Sequence, residues 1–63
     1  MRLDGDDVEL LACLARGMTR EHIARRLDVS QRTLRRQTRD LCDRLGVETV
    51  IEAVAWAARR QLI

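Results

Sequence analysis

Arg32, Arg35, Arg36 and Arg39 stand within eight positions of one another in SQRTLRRQTRDL, residues 30–41, and no acidic residue intervenes before Asp40. A guanidinium group stays charged and presents a planar fork of donors. Its chemistry is to grip phosphate or carboxylate, or to fork onto the O6 and N7 acceptors of guanine. The intervals i, i+3, i+4 and i+7 gather all four onto one face of a helix with about 3.6 residues per turn. Leu34, Thr38, Leu41 and Leu45 fall on a different face and can pack inward, so the segment is amphipathic with an arginine outer stripe. Such a stripe either keeps a surface wet or meets something negative.

Other chemistry is sparse. His22 is the only histidine, and no partner at metal-ligand spacing accompanies it, so no metal site is expected. Cys13 and Cys42 are the only cysteines and form no CxxC. Each falls among the leucines of a helix, which predicts two unlinked, mostly buried thiols. There is no Ser, His and Asp grouping and no glycine-rich phosphate loop. Neither an enzyme nor a cofactor is expected.

The formal charge of +2 is unevenly spread. Residues 1–15 hold one Arg against Asp4, Asp6, Asp7 and Glu9, a balance of −3. Residues 16–39 hold eight Arg against Glu21 and Asp28, a balance of +6, and residues 40–63 come to −1. The basic third is therefore the one that holds the stripe. Every cation is Arg, which suits bidentate contact with phosphate or guanine and equally suits a genome rich in G and C.

A chain of 63 residues makes one small domain, 1–63, with no room for a deep cleft. Its apolar residues are mainly Leu, Ala, Val and Ile, with Trp56 the only aromatic, and with no Pro and three Gly the composition points to an all-α fold. No apolar run reaches the roughly 18 residues of a membrane span, and the start carries no signal-peptide pattern. A soluble, cytoplasmic protein without membrane contact is expected.

Caps and periodicity place four helices, near 5–16, 20–27, 31–45 and 49–60. Asp4 caps the first, whose early acids suit the positive end of the helix dipole; Leu10, Leu11 and Leu14 form its inner stripe, and Gly17 stops it. Thr19 caps the second, with Ile23, Ala24 and Leu27 on one face. Asp28 and Val29 then lead to Ser30, the cap of the arginine-striped helix, which ends at Gly46. Two helices across so short a turn, with a small residue inside the first and an apolar one in the turn, have the form of a helix-turn-helix. The second helix of that motif is where a DNA reader keeps its base contacts. Thr49 caps the fourth helix, in which Val50, Ile51, Val54, Ala55, Trp56, Ala57 and Ala58 cover most of the circumference. A helix apolar on nearly all sides is expected to be covered from more than one direction, and a second copy is one candidate.

From Leu10 to Ile63 the chain resembles the LuxR-type (GerE-like) helix-turn-helix domain of bacterial transcriptional regulators. The resemblance rests on G-x-T at 17–19, I-A-x-x-L at 23–27, S-x-x-T-L-R at 30–35, L-G-V at 45–47 and E-A-V at 52–54. Each is weak alone; in this order and at these distances they are specific. Departures exist. Asp4, Gly5, Asp6 and Asp7 stand where the family usually has T-P-R-E, His22 where Glu is common, and Gln37 where His is common. Glu48 takes the place of a basic residue, which puts one phosphate contact in doubt, and Asp28 replaces a common Gly in the turn.

The resemblance implies sequence-specific binding of double-stranded DNA, with helix 31–45 in the major groove as in a response regulator's effector domain. It assigns Arg35, Arg36 and Arg39 to the groove, Arg32 and Thr33 to phosphates, and a homodimer contact to the fourth helix through Ile51, Ala55 or Trp56. RNA polymerase is a further partner that it admits. Regulators of this kind carry a receiver or ligand-binding domain ahead of this one, so the chain is expected to be an excised effector domain or a stand-alone small regulator. Two rival readings are a sigma-factor helix-turn-helix, which does not usually carry the apolar fourth helix, and a protein-interaction domain of the same fold that has lost DNA.

Overall fold

The computed structural model describes residues 3–63; the first two residues of the expected 1–63 domain lie outside it. Four helices make up the fold of the described residues: α1 Gly5–Ala15, α2 Arg20–Arg26, α3 Gln31–Leu45 and α4 Val50–Arg59. The expected ends differ by a residue where a cap had been counted as helix: Arg16, Leu27, Thr49 and Arg60 are caps.

Each start has a side chain on its orphan amides. Asp4, Thr19, Ser30 and Thr49 accept the backbone N–H of Asp7, His22, Thr33 and Glu52, respectively. This satisfies donors that have no intrahelical partner. At α1 and α4 the acid at the third helical position reaches back to the cap's own N–H, which closes a capping box.

Every helix ends in the same way. The residue after the last turn is left-handed, at Gly17 (φ 77°), Asp28 (φ 57°), Gly46 (φ 72°) and Gln61 (φ 58°). The amide of the next residue then bonds back across the final turn: Met18 to Cys13, Val29 to Ala24, Val47 to Cys42 and Leu62 to Ala57, at 2.9–3.3 Å. These are Schellman closures. Asp28 and Gln61 hold them without glycine, and of the two aspartate visits this region more readily.

α1 packs chiefly on α4, α2 on α3, and α3 also on α4. Their shared core is Leu10, Leu11, Cys13, Ile23, Ala24, Leu34, Leu41, Cys42, Ala53 and Ala57. The small residues Ala24, Ala53 and Ala57 let backbones approach, while Leu14, Leu27, Val29, Leu45, Val54 and Trp56 pack around the edge, half-buried. Both thiols are free and buried, as expected. Burial is also the main reason the Cys42 thiol sits above its usual pKa.

Candidate nucleic-acid interface

The helix-turn-helix geometry is set by α2, its left-handed Asp28 and the Ser30 cap of α3. Val29 turns its half-buried side chain to the core, and its amide closes α2. Ser30 accepts the Thr33 amide at 3.0 Å, and its hydroxyl lies 3.0 Å from the Thr33 hydroxyl. The start of α3 is therefore pinned.

Along α3 the outer face carries Arg32, Arg35, Arg36 and Arg39, all exposed, while Leu34 and Leu41 are buried beneath them. Two ion pairs occur among the described residues, Arg26 with Glu9 and Arg44 with Asp7, and neither involves the stripe. The four guanidinium groups thus face solvent without a protein carboxylate. Thr33 is half-buried beside the cap. Thr38 returns its hydroxyl to the Leu34 carbonyl at 2.8 Å, which fits a structural role, and Gln37 lies on the opposite flank near Asp40. Farther along, Asp43 continues the line of Arg36 and Arg39 and ends the positive surface, a boundary the sequence reading left out.

A groove of about 420 Å³ runs along one flank of α3. Leu34, Cys42, Val47 and Val50 are its apolar lining. Arg35, Arg39 and Asp43 line it from α3, Arg20 from the start of α2, and Glu48 from the segment before α4. Arg20 had not been singled out; its position becomes visible only once the start of α2 is folded beside α3.

Asp7 is a second residue whose role sequence reasoning missed. It was counted as a dipole-favouring acid, but both its carboxylate oxygens accept from Arg44, at 2.9 and 3.0 Å, while one also accepts the Asp4 amide at 3.2 Å. The Arg44 hydrogen bonds are the main cause holding its carboxyl below the usual range, against the opposing effect of burial, and the Asp4 amide and the Arg44 charge add to them. The bidentate pair ties the start of α1 to the end of α3. The Asp4 cap was readable in the sequence; a partner for Asp7 37 positions away was not.

On α4 the residues named for a dimer contact separate. Ile51 is 80% exposed and shares an outward face with Ala55 and the exposed Ala58. Trp56 lies about 140° around the helix from Ile51. Its ring packs against the core edge, and the Arg60 guanidinium sits 4.2 Å from its centroid. His22 is exposed, and no cluster of three metal-binding side chains occurs among the described residues.

Four helices on one core, with a short α2–α3 turn and an unpaired basic face on α3, define a helix-turn-helix DNA-binding domain. Residues 7–57 match the GerE family model, which describes bacterial regulatory proteins of the luxR family. The chain belongs to that family. Comparison with curated proteins and with solved structures found no match. No helix among the described residues is long and apolar enough to cross a membrane.

Proposed function

We propose that residues 1–63 act as one sequence-specific duplex-DNA-binding domain of a bacterial transcriptional regulator, with α3 in the major groove. The observation that carries this is the exposed row Arg32, Arg35, Arg36 and Arg39, outside both ion pairs of the described residues, on the helix that follows the turn. Arginines beside a duplex displace condensed counterions, which supplies affinity with little regard to sequence. Arg36 and Arg39 then select bases where their forks meet guanine O6 and N7, and Arg35 joins them from the groove beside α3. Arg32 and Thr33, next to the pinned start of α3, hold phosphates. Ile51 and Ala55 form the centre of a symmetric contact between two copies, with Trp56 at its margin, so that two recognition helices meet two half-sites. RNA polymerase is a further partner of the bound dimer. A regulator of the chromosome works in the cytoplasm.

The test is selection from random duplexes followed by binding of single alanine variants. Arg36→Ala or Arg39→Ala is expected to cost about 1–3 kcal/mol on the selected site and to relax one base position. Arg32→Ala should weaken all sequences alike and lower the salt slope by about one unit. Variants that bind selected and random duplexes as the parent does would reduce the stripe to a solvated face. A domain that had lost DNA would enrich no sequence at all.

A further inference from the structure

The groove beside α3 is divided by charge. Along α3 its lining passes from Arg35 and Arg39 to Asp43, with Arg20 added from the start of α2 and Glu48 from the segment before α4, and all five side chains are exposed and outside the two ion pairs of the described residues. Arg35 and Arg39 belong both to this lining and to the outward face of α3, so a strand lying on that face passes the groove. At the α4 end the amides nearest Glu48 are already taken. The Glu52 carboxylate already accepts the N–H groups of Glu48 and Thr49, at 2.8 and 2.9 Å. That end presents two carboxylates, Glu48 and Glu52, where a bare helix start would attract an anion.

We propose that Arg20 is a phosphate contact and Glu48 a repulsive wall, so that the DNA backbone is drawn to the α2 side of the groove and held off the α4 side. This rests on the DNA reading above and deepens it. The physical consequence is a lowered sequence-independent affinity. Like charge facing the backbone subtracts from binding to every duplex alike, so affinity falls while the preference for specific sites stays set by the base contacts of α3. Placing Arg20 on one wall and Glu48 on the other also fixes the side from which the strand approaches α3.

The experiment measures binding of the parent, Arg20→Ala and Glu48→Gln to a random-sequence duplex and to the selected duplex, over a series of salt concentrations, with circular dichroism to verify the fold. Arg20→Ala is expected to weaken both duplexes alike and to lower the salt slope by about one unit. Glu48→Gln is expected to tighten both, by about fivefold at low salt, with the gain fading as salt screens the charge. Either variant behaving as the parent, or Glu48→Gln binding more weakly, overturns the proposal. If the parent binds and both variants match it, only the divided groove falls. If the parent binds no duplex, the DNA reading falls and takes this inference with it.

Discussion

Arg39 and Arg44 are five residues apart on one helix and have opposite circumstances. Arg39 faces solvent, whereas Arg44 holds both oxygens of an Asp7 side chain that is only 12% exposed. The first is available to an external anion and the second is committed to the fold. Replacing Asp7 by Asn removes a charged acceptor from Arg44 and weakens the α1 capping box, and is expected to cost about 1–3 kcal/mol at neutral pH. Because the folded-state pKa of Asp7 is depressed, its contribution is fully present above the ordinary carboxylate value of 3.8 and is lost as pH falls through the lower folded value. Denaturant titrations of parent and variant should therefore differ at pH 7 and converge in strong acid. A gap that stays constant across that range would mean that the pair does not stabilise through charge. Glu52, another acid held below its usual range, by the Glu48 and Thr49 amides, is common to both proteins and cancels in the comparison.

The elements follow from local signals to different degrees. Four caps and two glycine stops were readable because each is a short-range event, with a side-chain oxygen three residues ahead of an orphan amide or a residue free of Cβ cost at positive φ. The Gln61 closure was not, since glutamine carries no such preference. Gly5, the first residue of α1, follows an extended Asp4 (φ −91°, ψ 179°), and a Cβ built on it meets nothing within 4 Å. Proline fits there, with its missing N–H at a position that has no intrahelical acceptor. Gly5→Pro is expected to raise stability by about 0.4–1 kcal/mol, mainly by restricting the unfolded chain, and a lowered melting temperature would contradict this. On α4 the apolar circumference was visible, but which face turns outward depended on where the core sits. Ala53 and Ala57 went inward, leaving Ile51, Ala55 and Ala58 outward. Changing Ile51 and Ala55 together to Asp should leave helical circular dichroism intact and abolish cooperative occupation of paired half-sites. Retained cooperativity would remove α4 from the contact.

Over the whole molecule, charge is sorted by the fold more finely than by chain thirds. Asp4, Asp6, Asp7 and Asp40 gather with Gln37 and Arg44 on one flank of α3, while Arg20, Arg35 and Arg39 gather on the other. The arginine stripe was legible because helical periodicity alone aligns it. The Arg20 wall and the Asp7–Arg44 tie were not, because both join residues from separate helices. The most direct measurement is titration of a labelled duplex with the parent and with an Arg35→Ala, Arg36→Ala, Arg39→Ala triple variant over a series of salt concentrations. For the parent we expect log affinity to fall linearly with log salt, by about 0.9 per neutralised phosphate, and a preference for selected over random sequence. The triple variant should remain folded, bind far more weakly and lose that preference. A parent without salt-dependent duplex affinity, or a triple variant that binds as the parent does, would contradict the assignment of α3 as the DNA-reading helix.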